Sequence, residues 1–540
     1  MSAELATRAS YDDPVVAGAL AGLGGPPGRH ARTGERRLMT PVRVLVVLTL
    51  LTCALGWAQK AGCRDGSNWQ HEYQYTRGCY TDVVALYSSE GLASGQRPYY
   101  DHPVEYPVVI GAVMAVTSEL ARSFASALPD TATRAAQARV AAARTTEERS
   151  AATAARTYAD ADARGRHFYD LTWLLLTACA LVVVVTTARI AGSRPWDAAL
   201  VALAPTLALH GTTNWDLVAM ALAGLGLLAW ARQRPVAAGI LLGLATATKL
   251  YPVLFLLPLL LLCVRARRVL PFLVTSVALV GAVTVVTLPV YLTSPSYVDR
   301  QGTQVRVLDS PLTQLQNGRG LSALAPHHLL PHSPGAAPEV AVNAVYRFVE
   351  LNTVRGADWD SLWLQAQRQG LSQDAGLAAG EAPRELNRAV AVAFGLALVL
   401  VALLVLRAPR RPRLPQVLLL MMVAFLLTNK VDSPQYVLWL LPLAALARPR
   451  WRPFLAWQAA EALVLLTRFA FFIGNDKPGQ GIGIAWLFGA VLLRDALLLV
   501  LCAFVVRDVL RPERDVVRAG GVDDPAGGVL DGAPDRFARA

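Results

Sequence analysis

Apolar runs of mostly 15–24 residues, separated by short links rich in Arg or Pro, recur along this chain and leave it very few folds. A run of that length crosses the ~30 Å hydrocarbon core of a bilayer as one helix. Only helices and closed barrels satisfy every backbone polar group there, and barrel strands alternate in polarity where these runs do not. With 54% apolar and 17% charged residues among 540, the chain also lacks the charge to cover a soluble protein of its size. The expected fold is an all-α polytopic membrane protein. Its net charge of +12 calls for no nucleic-acid partner, because arginines in short loops set the topology of membrane proteins.

Residues 1–37 are rich in Gly, Pro and Arg without apolar periodicity and read as a disordered cytoplasmic tail. The membrane module occupies 38–511, and 512–540 reads as a second cytoplasmic tail. The first span, about 40–58, follows Arg29, Arg32, Arg36 and Arg37 and so exits outward. Further spans are expected at 168–188, 197–211, 215–231, 236–248, 251–263, 269–292, 388–406, 414–429, 434–447, 453–473 and 482–506, about twelve in all. The run Val104–Leu120 could cross or lie flat. If it lies flat, seventeen arginines fall inside: 189, 194, 232, 234, 265, 267, 268, 407, 410, 411, 413, 448, 450, 452, 507, 511 and 514. If it crosses, that asymmetry inverts. It therefore reads as a juxtamembrane helix within a large first outer loop, 59–167, whose Ala- and Arg-rich part, 122–166, is a solvated helical insert. A second outer segment, 293–386, reads as long, polar and irregular.

Cys53, Cys179, Cys263 and Cys502 lie in apolar runs and read as packing residues. Cys63 and Cys79 lie in the first outer loop, where an oxidising exterior lets them pair and order the loop by roughly 3 kcal/mol.

On this topology the isolated polar residues between apolar helices gather on the outer side: Asp82, Glu105, Asn214, Asp216, Lys249, Lys430, Asp432 and Gln435. Charges at the edge of the hydrocarbon are costly unless paired or used, so their convergence marks a candidate site. Asp82, in Tyr-Thr-Asp-Val-Val-Ala-Leu-Tyr, is either a helix-start acid or a partly buried general base. Glu105-Tyr106-Pro107 offers a second carboxylate and a stacking ring, or ordinary helix-start chemistry. Lys249, before Tyr251-Pro252, is either a snorkelling lysine or a cation for a lipid phosphate. Asn214-Trp215-Asp216 and Asn429 through Tyr436, with Lys430, Gln435 and Tyr436, are polar breaks that either cap helices or bind. Glu461, Arg468, Arg494 and Asp495 read as ion pairs between the last two spans. No paired-Cys zinc spacing, P-loop or nucleophile elbow is present.

With these residues in hand the chain resembles the polytopic glycosyltransferases of the GT-C type. It is most similar to glycosyltransferase family 87, the polyprenyl-phosphate-mannose-dependent mannosyltransferases of actinobacteria. The matching pieces are the Asp82 segment, Gly95-Gln96-Arg97-Pro98-Tyr99 followed by Glu105-Tyr106-Pro107, Asn214-Trp215-Asp216, Ala238-Gly239 through Lys249-Leu250-Tyr251-Pro252, and Ser433-Pro434-Gln435-Tyr436 leading into Leu438-Trp439-Leu440-Leu441-Pro442. Two stretches depart from the pattern: the insert at 122–166 is long, and the second outer loop matches poorly.

The resemblance implies transfer of mannose or a related sugar from a polyprenyl phosphate to a glycolipid or glycan acceptor, with inversion, at the outer face of the plasma membrane. Asp82 would be the catalytic base and Lys249, with Lys430, would hold the phosphate. Glu105, Tyr106, Asn214, Asp216, Tyr251, Gln435 and Tyr436 would complete the substrate site. In the second outer loop, Arg319, His327 and His328 become candidates for the acceptor. Polyprenyl phosphate is already a good leaving group, so the chemistry demands no metal, and a divalent ion beside Asp82 is left open. A transporter or flippase of a lipid-linked sugar is the alternative. It would more often show midplane helix breaks and internal repeats, whereas here the polar residues gather at one face.

Overall fold

A computed structural model describes residues 14–22, 40–64, 72–300, 302–330, 339–368, 383–477 and 479–535. The reading of 1–37 as a tail falls mostly outside them, and Pro14–Gly22 is helical. Among the described residues seven helices are long and apolar enough to cross a membrane, and five shorter apolar helices accompany them. The chain is an all-α polytopic membrane protein. The short helices Asp216–Ala231, Pro235–Thr246, Leu414–Thr428 and Val437–Ala447 form much of the interior, their faces buried against one another and against the 45-residue helix Thr146–Ile190. Glycine permits the closest of these approaches. A Cβ at Gly239 would stand 2.3 Å from Thr275 O, and one at Gly243 2.5 Å from Leu279 O, so these two positions let Pro235–Thr246 lie directly on Val269–Thr293.

The expected span 197–211 is broken into a 3₁₀ turn at Pro195–Ala198 and two short helices, Ala199–Ala202 and Pro205–His210. Pro205 lacks the N–H that a continuous helix would need, so the chain restarts there. Thr206 Oγ1 donates to Gln458 Oε1 at 2.7 Å, tying the restarted turn to the Trp451–Asp476 helix.

Val108–Ala127 forms one 20-residue helix, long enough to cross. Its ends decide its course. Val109 N donates to Ala247 O beside Lys249, and the ring of Phe124 lies 6.4 Å from that of His167, just before Tyr169. Tyr169 in turn bonds Thr212 at 3.0 Å, and Asp216 bonds Lys249. Both ends of the helix thus contact elements that carry the polar residues, an arrangement that a juxtamembrane helix would have. Val116, Leu120 and Phe124, spaced by four, point away from the protein and suit the bilayer interface.

The insert is an antiparallel pair, Thr131–Ala142 against the polar first half of Thr146–Ile190, whose start is fixed by a capping box of Thr145 and Glu148. The second polar segment is not irregular throughout. It holds a four-stranded antiparallel sheet: β1 (Ser296–Arg300), β2 (Thr303–Leu308), β3 (His327–Leu329) and β4 (Val340–Asn343), in the order β2-β1-β4-β3. These strands are three to six residues long, too short to stand out from loop composition. Asn343 anchors them by donating from Nδ2 to Tyr291 O and Ser294 O at the end of Val269–Thr293. Tyr297 Oη donates to Tyr100 O at 2.8 Å and so joins the two polar segments.

The C-terminal residues correct the expected tail. Residues 512–535 fold back on the arginine-rich links: Arg413 pairs with Asp515 at 2.7 Å, Arg411 with Asp523 at 3.2 Å and Arg265 with Asp535 at 2.6 Å. Leu530 is buried, and Asp524 accepts from Leu414 N to cap the Leu414–Thr428 helix. The stretch lacks apolar periodicity and orders through its carboxylates, which find partners only when the links at 265 and 410–414 converge.

Two outcomes are expected. Val116→Trp should be quenched by lipids brominated near the headgroup and not by lipids brominated at the chain end; deep quenching would make Val108–Ala127 a true span. Asp515→Ala leaves the buried Arg413 without its carboxylate, and unfolding measured in detergent should show a loss of about 3–5 kcal/mol.

Candidate functional site

Asp82 begins the short helix Asp82–Ser89, whose N-cap is Thr81. The Thr81 hydroxyl donates to Thr212 O at 2.7 Å, and Asp82 N donates to Thr213 O at 2.8 Å. The first polar segment is thus stitched to the break before Asp216–Ala231, which fixes the backbone that carries Asp82. Asn214 Nδ2 donates to its Oδ2 at 2.9 Å and Tyr80 Oη to its Oδ1 at 2.8 Å. Asn214 Nδ2 also reaches Tyr106 Oη at 2.6 Å, while its Oδ1 accepts from Trp215 N. Burial pushes the Asp82 carboxyl above the ordinary range, and the Asn214 and Tyr80 donors oppose that rise. Burial, then the Asp82 charge, hold the Tyr80 phenol above its usual value, so it remains a donor.

Asp216 is fully buried and uses both carboxylate oxygens: Lys249 Nζ donates at 2.8 Å and Trp439 Nε1 at 2.7 Å. Trp439 stacks with Tyr251 at 4.2 Å and with Tyr436 at 4.1 Å. The Lys249 ammonium lies 5.2–6.0 Å from the rings of Tyr106, Tyr436 and Trp439. Lys249 is therefore an ion-paired, aromatic-boxed cation and not a free one.

These groups line a cavity of about 370 Å³, to which Glu105, Gln435 and Asn429 also contribute. Glu105 lies at the mouth, where Arg355 bridges it at 3.2 Å; burial pushes its carboxyl up and the guanidinium draws it down. The Arg355 side chain is 47% exposed.

Of the residues singled out in the sequence, Asp82, Glu105, Tyr106, Asn214, Lys249, Tyr251, Gln435 and Tyr436 all line this cavity, with Asp216 directly behind Lys249. Lys430 does not. Its ammonium donates to Arg355 O at 2.5 Å and Asn387 Oδ1 at 2.6 Å, so it supports the Arg355 backbone. Asp432 pairs with Arg494 at 2.9 Å. Arg494 also pairs with its neighbour Asp495, Glu461 accepts from Trp457, and Arg494 and Arg468 hold Asp360, so these arginines tie the last two helices to the second polar segment where ion pairs between the two helices were expected. Arg319 bonds Gln314, and His327 meets Tyr346 edge-on at 4.9 Å; neither these nor His328 borders the cavity. Cys63 and Cys79 form a disulfide, Cα–Cα 5.7 Å, just ahead of Tyr80. Among the described residues no three His, Cys, Asp or Glu side chains stand close enough to share a metal.

Three contributors were given no role from the sequence. Tyr80 stood in the Asp82 segment without being singled out. Trp439 looked like one more apolar residue in a greasy run. Arg355 had no local signal, since it reaches the site only through the folded second segment.

The geometry defines a multi-helix membrane protein with one carboxylate-centred cleft where its helices meet the polar segments. The family model for glycosyltransferase family 87 matches residues 162–429, which bears out the resemblance to that family and indicates glycosyltransferase activity. The matched stretch carries Asn214, Asp216, Lys249 and Arg355, while Asp82 and Glu105 lie before it. No curated protein matches the chain.

The Lys249–Asp216 pair carries an expected outcome. Lys249→Met should destabilise the protein by about 3–5 kcal/mol in thermal unfolding, because it leaves a buried carboxylate with one donor. Adding Asp216→Asn should recover most of that loss. A single variant of unchanged stability would show that the pair does not hold the cleft.

Proposed function

We propose that the protein transfers a hexose, mannose or a close relative, from a polyprenyl phosphate to a glycan or glycolipid acceptor, with inversion, at the outer face of the plasma membrane. The observation that carries this reading is the setting of Asp82. It is a single carboxylate of raised basicity, oriented by Asn214 and Tyr80, and open to the cleft. It takes the proton of the acceptor hydroxyl as that oxygen bonds to the anomeric carbon, and the bond from that carbon to the phosphate oxygen breaks with its electron pair. The leaving polyprenyl phosphate needs cations and no strong acid.

Arg355 is the better-placed phosphate ligand, since it stands half exposed at the mouth and its bridge to Glu105 is a surface contact of little strength. Lys249, already neutralised by Asp216, contributes a fixed positive end behind the aromatic box. The arginine pattern supports a reading with both termini in the cytoplasm and the cleft outside.

Asp82→Asn keeps the size and most hydrogen bonds of the side chain but cannot accept the proton. Turnover of labelled polyprenyl-phosphate-mannose onto a cell-envelope lipid extract should fall by about 10²–10⁴-fold while donor binding survives. Near-normal turnover would remove Asp82 as base. The pH profile supplies a second test. Because the folded carboxyl is raised, kcat/KM should climb with pH through an acid limb above the ordinary Asp value of about 3.9. A limb at or below that value would contradict the burial of the base.

A further inference from the structure

A second cavity, of about 250 Å³, lies on the other side of Asp82. The two cavities share Tyr80, Asp82, Ser433 and Gln435, so the Asp82 side chain stands in the wall between them. The walls differ in kind. On the second side Tyr75, Phe469, Phe472 and Trp359 form a continuous aromatic train: Tyr75 meets Phe469 at 5.9 Å and Phe472 at 5.5 Å, and Phe472 meets Trp359 at 5.4 Å. The same cavity is also lined by hydroxyl, amide and imidazole groups of Thr213, Ser433, Gln435 and His210.

The two cations on this wall are already engaged. Arg468 donates to Asp360 at 3.0 Å, and Lys60 Nζ donates to Tyr80 O at 2.7 Å. A phosphate entering here would meet Asp82 and no half-exposed guanidinium, whereas the first cavity has Arg355 at its mouth. Aromatic faces together with hydroxyl and amide groups in one cavity suit a neutral sugar ring, whose C–H face lies on the rings and whose hydroxyls meet the polar groups.

We infer that this second cavity is a subsite for one neutral sugar ring of the acceptor, stacked on Phe472 and Tyr75, which presents its hydroxyl to Asp82 from the side opposite the phosphate-bearing donor. The inference rests on the glycosyltransferase reading. It moves the acceptor away from Arg319, His327 and His328, none of which borders either cavity. It also gives the Cys63–Cys79 bridge a task, because the bridge closes the loop that delivers Tyr75 and Tyr80.

The test is a binding measurement, independent of turnover. The full-length protein in nanodiscs is titrated with a neutral methyl mannobioside by saturation-transfer NMR. Phe472→Ala and Tyr75→Leu should each weaken binding at least fivefold, Phe472→Tyr should restore it, and a short-chain polyprenyl phosphate should not displace the sugar. Unaltered affinity in both weakening variants, displacement by the polyprenyl phosphate, or no sugar binding by the unmodified protein would each overturn the subsite. Failure of the enzymatic reading would show separately, as near-normal transfer by Asp82→Asn.

Discussion

A carboxylate fully buried among apolar helices has to be satisfied, and Asp216 is satisfied by two residues that no neighbouring stretch of chain supplies. Lys249 comes from the turn after Pro235–Thr246 and Trp439 from the start of Val437–Ala447. Breaking either contact strands charge in a low-dielectric setting, so three helix ends are held together at one point. The stacking of Trp439 with Tyr251 and Tyr436 and the position of Asn214 two residues away follow from that point.

Asp82 is placed by a second tie that depends on the first. The Thr212–Asn214 backbone takes its path from the helix that Asp216 begins, and Thr81 and Asp82 bond to that backbone. The base therefore sits on a polar segment, yet its orientation is set by the membrane helices. The other side of the cleft is closed in the same way. Lys430 holds the Arg355 carbonyl, and Arg468 and Arg494 hold Asp360, so a long polar segment becomes a fixed wall. Buried charge that looks wasteful residue by residue positions the groups that face substrate.

The same logic operates at the opposite end of the helices. Arginines at 265, 411 and 413, readable as topology signals, are also partners of Asp535, Asp523 and Asp515. Composition alone made the last segment resemble a disordered tail, because order that comes from a few ion pairs leaves no periodic trace. The lysines show a related limit. A sequence displays charges and not their partners, and Lys249 and Lys430 prove to be engaged by Asp216 and by Arg355 O and Asn387 respectively.

The sequence by itself determined the class of fold, since runs of apolar residues long enough to cross a bilayer admit little else. It determined the set of polar residues that gather at one face, since charge is excluded from the hydrocarbon unless it has a use. It also pointed to Asp82, through a segment that pairs a carboxylate with aromatic neighbours and that the family resemblance singles out. Only the tertiary structure decided which cation is available, that Arg355 enters the cleft, that Trp439 is a ligand of Asp216, and that Asp82 divides two cavities of different chemistry. Each of these depends on contacts between residues far apart in the chain, such as Glu105 and Arg355, 250 residues apart, and Asp216 and Trp439, 223 apart. Local composition carries no information about such partners, because they are selected by packing.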